Sequence, residues 1–144
     1  MLLHAELLRL ADTVIDSLNF DSSKYLTEES LHKLHDLFPD ALILAALDLV
    51  DQRKITVNVT TWGLVEYEVL GSTATHLVYT GIQKTLMSSY CTCPAFNFTV
   101  LETGRSIMCK HVLATRLAIR LGLCVKQHIS LDYLATSVAH RHQL

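Results

Sequence analysis

The chain has 144 residues, half of them hydrophobic, with a formal net charge of −2 at pH 7 and four cysteines. That length and apolar fraction suit one domain with a real core. The slightly acidic total excludes a protein that holds nucleic acid by bulk charge, and so few cysteines leave no disulfide framework.

Leu3, Leu7, Leu10, Val14 and Leu18 recur at helical spacing, flanked by Leu8, Ala11 and Ile15. They predict an amphipathic helix over residues 3–18, with Glu6, Arg9, Asp12 and Asp16 on the wet side. The same charges interrupt the apolar start, so neither a secretory signal nor a membrane span fits, and a soluble intracellular protein is expected. Residues 19–24 are polar and read as a loop. Thr27 then caps a second helix, with Glu28 and Glu29 in its first turn, and that helix ends before Pro39. Pro39 opens a third, over residues 40–50. Its run from 41 to 47 is apolar all round, so burial on most sides is expected. A front of this size also leaves open that the leucines of residues 3–18 dock a partner protein.

The period then changes from helical to alternating. Ile55, Val57 and Val59 alternate with Thr56, Asn58 and Thr60, and Val65, Tyr67 and Val69 with Glu66 and Glu68. Both predict half-buried strands joined by a hairpin at residues 61–63. Further strands are expected over 76–79 and 86–90, completing a small antiparallel meander. Phe96, Phe98 and Val100 alternate too, so this stretch either continues as a strand or buries against the core. Residues 102–106 are polar with a glycine, an exposed tip. A helix from His111 to about Leu121 follows, stopped by Gly122, with Leu113, Leu117 and Leu121 as its apolar stripe. Ser130 caps a last short helix containing Leu131, Tyr133, Leu134 and Val138, and residues 139–144 read as a frayed tail whose His140 and His142 are weak metal candidates. The fold class expected is α+β. Its parts are a helical region over 1–53, the meander and metal-binding segment over 54–124, and a short helix with tail over 125–144.

The chemistry concentrates between residues 91 and 111. Cys91-Thr-Cys93-Pro94 and Cys109-Lys-His111 supply three thiols and an imidazole in two pairs, each with one intervening residue. A Cys-x-Cys pair closes poorly into a disulfide, because neighbouring extended residues point apart. A sharp turn brings both sulfurs to one ion, and Pro94 suits such a turn. Three sulfurs and one nitrogen make a closed tetrahedral site, so one structural zinc ion is expected on Cys91, Cys93, Cys109 and His111. A thioredoxin-like pair would have two intervening residues, and Cys124 reads as a small buried hydrophobe. The other histidines, His76 among them, read as surface or satisfied core residues. No Ser/His/Asp or paired-carboxylate arrangement is evident, and no catalysis is expected.

Cys-x-Cys followed by Cys-x-His resembles the SWIM-type zinc finger. The words Cys91-Thr-Cys93-Pro94-Ala95-Phe96 and Cys109-Lys110-His111-Val-Leu-Ala114 resemble the small SWIM-domain subunit of Shu-type complexes, whose motif extends to an alanine three residues past the histidine. The resemblance covers roughly residues 42–122. It implies a non-catalytic adaptor, nuclear, that pairs with a RecA-like recombinase paralogue and promotes recombinase assembly on single-stranded DNA during homologous-recombination repair. Ala114, one turn from His111, would let the finger's helix pack closely.

Charge distribution adds to this picture. Residues 1–53 carry four Lys/Arg against ten Asp/Glu, and residues 101–144 carry six against two. Arg105, Lys110, Arg116 and Arg120 are candidate nucleic-acid contacts, with Tyr90, Phe96 or Phe98 available for base stacking. The competing reading is that these aromatics are core and the arginines solvated, which the negative net charge favours. Two rival functions remain: a SWIM protein-interaction module acting as a substrate adaptor in ubiquitin transfer, and a zinc-dependent or thiol enzyme.

Overall fold

A computed structural model describes residues 2–63, 65–83 and 87–141. Among the described residues, five α-helices and one five-stranded sheet follow in the order α1 (Leu2–Asp16), α2 (Glu28–Leu37), α3 (Asp40–Asp51), β1 (Ile55–Val59), β2 (Val65–Leu70), β3 (Thr75–Tyr79), β4 (Tyr90–Cys91), α4 (Lys110–Leu121), β5 (Val125–His128) and α5 (Leu131–Arg141). Between β4 and α4 lies a π-helical segment, Phe96–Glu102. The α+β architecture expected from the alternating period stands.

Sheet order is β4-β3-β2-β1-β5. The first four strands form the antiparallel meander, whereas β5 runs parallel to β1. Register puts Ile55, Val69 and His76 in one row across the inner face, and Val57, Tyr67, Val78 and Cys91 in the next. Helix α4 packs on this face and touches α3 and α1 on its other sides. It is therefore the central element, and Val112, Leu113, Ala114, Thr115, Leu117 and Ala118 are all fully buried along it. Seen from the core, α4 is wrapped by sheet below and helices above.

The local signals that set helix ends hold. Ser30 N–H donates to Thr27 Oγ1 at the start of α2, and Tyr133 N–H donates to Ser130 Oγ at the start of α5. Gly122 ends α4 at a φ of 67°, a left-handed conformation that costs glycine nothing.

Several expectations need correction. Among the described side chains of α1 the buried ones are Leu8, Ala11 and Ile15, while Leu7 and Leu10 of the stripe predicted inward are 38% and 49% exposed; Leu18, the stripe's last member, is buried just past the helix end. Helix α1 is thus rolled toward its flanking residues, and Ala11 provides the close approach. Asp12, predicted wet, is drawn inward as well, accepting from Arg116 and from Ser88 Oγ at 2.9 Å. Helix α3 buries only one stripe, Ile43, Ala46 and Val50, and leaves Leu44 67% exposed. An all-apolar helix packed on one side is enough when α4 takes that side.

The strand expected over 86–90 begins only at Tyr90, since residues 87–89 are irregular and Leu86 lies outside the described residues. Of the two readings of Phe96 to Val100, burial against the core holds for Phe96 and Val100, and the stretch is helical, not extended. Phe96 and Val100 are buried four residues apart while Phe98 between them is exposed, which fits a helix and not an alternating strand. Residues 125–128, expected to lie ahead of a short helix and tail, form β5, and α5 continues to Arg141. The side chain of His140 and all of His142 lie outside the described residues. No helix among the described residues is long and apolar enough to cross a membrane.

Candidate metal centre

Three separate backbone devices bring the donors together. Strand β4 ends on Cys91, whose partner across the ladder is Val78, so its side chain falls on the core face. The chain then turns at Pro94, and Cys93 Sγ accepts the N–H of Phe96 at 3.2 Å, capping the π-helical segment from its first turn. Cys91 Sγ likewise accepts the N–H of Cys93 at 3.5 Å. Cys109 occupies the cap position of α4 in an extended conformation, with φ −89° and ψ 170°, and His111 sits in that helix's first turn. A strand end, a tight turn and a helix start thus converge.

The donor atoms of Cys91, Cys93, Cys109 and His111 all lie within 4.8 Å of one another, and all four residues are buried. His111 Nδ1 is 3.9 Å from Cys91 Sγ and 4.0 Å from Cys109 Sγ, which identifies Nδ1 as the ligand nitrogen. Zinc with bonds of about 2.3 Å to sulfur and about 2.0 Å to nitrogen holds tetrahedral ligands about 3.5–3.8 Å apart. The spacing fits one such ion with little adjustment. All three thiols are free of disulfides.

Electrostatics argues the same way. Three thiols in contact cannot ionise together without a cation between them. Cys93 is pulled far below the thiol range by hydrogen bonds with Cys109 and Cys91. Cys109 is pushed far above it by its hydrogen bonds with Cys91 and Cys93 and by burial. Cys91 gains from the Cys109 hydrogen bond, but the one to Cys93 and burial push it up to about 12. A dication removes this conflict by stabilising every thiolate at once. Zinc closed by four protein ligands supplies folding energy at this corner.

Ala114 is fully buried one turn after His111. The four candidate cations are dispersed. Arg116 donates to Asp12 at 2.5 Å and lies 3.4 Å from Asp16, while Arg120 donates to the Leu18 carbonyl and stacks over the Phe20 ring at 5.8 Å. Arg116 therefore fastens α1 to α4, and Arg120 ties α4 to the segment that follows α1. Arg105 lines a cleft with His4, Phe38 and Ile107, whereas Lys110 lines another with Lys54 and Asp48. Of the aromatics, Phe96 is core, and Tyr90 and Phe98 are exposed, Tyr90 standing edge-on to Phe96 at 5.5 Å between centroids. Cys124 is half-buried in a groove beside Tyr67, outside the donor cluster.

One residue beside the centre went unassigned in the sequence reading. The His76 ring lies against that of His111, with centroids 4.5 Å apart. Burial, and then the neighbouring His111, lower its pKa. Its place two residues before Val78, the partner of Cys91, is the signal that reveals it once strand pairing is known.

Comparison with protein families matches residues 79–118 to the SWIM zinc finger. The zinc finger SWIM domain-containing protein 7 of Danio rerio is 34% identical over 139 residues, spanning 95% of this chain and 94% of its own length. Its namesake in Mus musculus is 38% identical over 112 residues, 76% of this chain and 68% of that protein. The Homo sapiens protein of the same name is 38% identical over 108 residues, 75% and 73% of the two chains. No solved structure matches the chain.

Proposed function

This chain belongs to the SWIM zinc-finger family of the zinc finger SWIM domain-containing protein 7 relatives, and we propose from that premise that it is a non-catalytic adaptor subunit of a Shu-type complex. In this reading it pairs with a RecA-like recombinase paralogue in the nucleus and helps a recombinase assemble on single-stranded DNA during homologous-recombination repair. The observation that carries the reading is the enclosure of the donor set. Four protein ligands, all buried, fill a tetrahedral ion's positions, so the metal shapes a surface instead of meeting a substrate.

The surface so shaped has parts suited to both partners. Leu7 and Leu10 on α1, and Leu101 after the turn, are large apolar side chains left exposed, as a protein contact requires. Tyr90 and Phe98 are exposed on the finger and can stack on bases, with Arg105 and Lys110 as the cations left for phosphates. Arg116 and Arg120 drop out of this role because α1 and the segment after it already engage them.

Co-expression with a RecA-like paralogue, followed by size-exclusion chromatography, tests the pairing. A one-to-one complex is expected, and its binding to single-stranded oligonucleotide should weaken steeply as salt rises. Separate elution of the two chains, or a complex that leaves recombinase loading unchanged, would count against the proposal.

A further inference from the structure

His76 is reached by the same strand pairing that delivers the first metal ligand. The β3–β4 register runs Tyr79 to Tyr90 and Val78 to Cys91. It continues with Thr92 N–H donating to the Leu77 carbonyl at 3.0 Å, and Leu77 N–H donating to Thr92 Oγ1 at 3.0 Å. One further step sets His76 across from Cys93, on the core face that carries the donors. There its ring meets His111 at 4.5 Å, tilted by 41°.

The turn before β3 is built around this ring. Gly71 N–H donates to the Ala74 carbonyl at 2.9 Å, closing the turn between β2 and β3. A Cβ on Gly71 would stand 2.7 Å from the Ala74 oxygen and 3.3 Å from both Cδ2 and Nε2 of His76. The glycine is thus needed for space, and part of that space is the imidazole's. Lys110 and the outer side of His111 line the adjoining cleft with Gly71 and Ser72, so solvent reaches the neighbourhood of His111 from this direction.

Resting on the zinc reading of the four donors, we propose that His76 is a positioning residue of the metal centre. Its ring packs on His111 and holds that imidazole with Nδ1 turned to the sulfurs. Outer-shell contacts of metal-bound histidines set ring orientation, and the shell around the site controls solvent access. His76 acts through ring contact, so an aromatic ring without nitrogens can replace it.

The test uses the full chain loaded with zinc, and separately with cobalt(II) as a spectroscopic probe. Zinc transfer to the chromogenic chelator 4-(2-pyridylazo)resorcinol is timed for the wild type, His76→Ala, His76→Phe and Gly71→Ala. One zinc per chain is expected throughout, with a cobalt spectrum of three thiolates retained. Release should be faster in His76→Ala, with zinc affinity lower by about 10–100-fold, the range usual for loss of an outer-shell partner. His76→Phe should return to near the wild-type rate, and Gly71→Ala, whose Cβ presses the Ala74 carbonyl at 2.7 Å and the ring at 3.3 Å, should move toward His76→Ala. Should His76→Ala fail to fold, the Gly71→Ala and His76→Phe rates decide the matter. Wild-type release from His76→Ala, or from a folded Gly71→Ala, would overturn the proposal. So would His76→Phe releasing as fast as His76→Ala, because the nitrogens would then be what matters. A wild-type chain that binds no zinc would instead sink the zinc reading itself, a result separable from the others.

Discussion

Helix α4 is held at its start and along its outer side by different physics. At Cys109 and His111 the hold is coordination by four donors inside a 4.8 Å cluster. Along Arg116 and Arg120 it is ion pairing to α1 and hydrogen bonding to the segment just after it, laid over the apolar contacts of Leu8, Ala11, Ile15 and Leu18. The first is short-ranged, nearly all-or-none, and requires a metal. The second is a sum of modest terms, each removable alone. The contrast teaches where this domain is brittle. Losing one thiolate undoes the corner, whereas losing one arginine only loosens a joint.

The largest effect should follow Cys109→Ser or chelation of the metal. Structural zinc contributes about 10–16 kcal/mol in finger peptides, as much as the whole stability of a typical domain. Loss of the cooperative thermal transition and of amide dispersion in α4 is expected. A native-like melt in Cys109→Ser would break the contrast at its stronger end.

Acidification should act on the same end more gradually. Cys91, with its pKa near 12, and Cys109, pushed higher still, keep their protons at neutral pH until an ion displaces them. Zinc binds thiolates and so displaces thiol protons, and apparent affinity falls as pH drops, by about tenfold per pH unit for each proton released. Competition titrations between pH 6 and about pH 8 would measure the slope, and a flat profile would contradict it.

At the weaker end, Arg116→Ala removes a mostly buried pair with Asp12. A loss of about 1–3 kcal/mol by chemical denaturation is expected, with zinc content unchanged. Zinc loss in this variant would show that the two holds are one. Thr27→Ala removes the cap on Ser30 N–H at the start of α2 and should cost about 1 kcal/mol. Leu44→Ser, on the open side of α3, should shift stability by no more than about 0.5 kcal/mol. A larger loss would mean that another surface covers Leu44.

What could be read in advance follows the same division. The metal quartet was legible because its chemistry lies in two three-residue words. Thr27, Gly122 and Ser130 were legible because caps depend on neighbours within a turn. The roll of α1 was not, since Leu7 and Leu8, or Leu10 and Ala11, fit helical spacing equally well, and only close packing prefers Ala11 inside. Nor was β5, where Val125-Lys-Gln-His alternates weakly and is exposed throughout; its strand exists by pairing with β1. Phe96 and Val100 satisfy period two and period four alike. The partners of Arg116 and the neighbour of His76 are contacts across the fold, and the Arg116–Asp12 pair joins residues 104 positions apart.

X-ray absorption at the zinc edge of the purified chain tests the central claim most directly. One zinc ion per chain is predicted, with three sulfurs at about 2.3 Å and one nitrogen at about 2.0 Å and no bound water. A shell with an oxygen in place of a thiolate, or a chain that purifies without metal yet stays folded, would contradict the account.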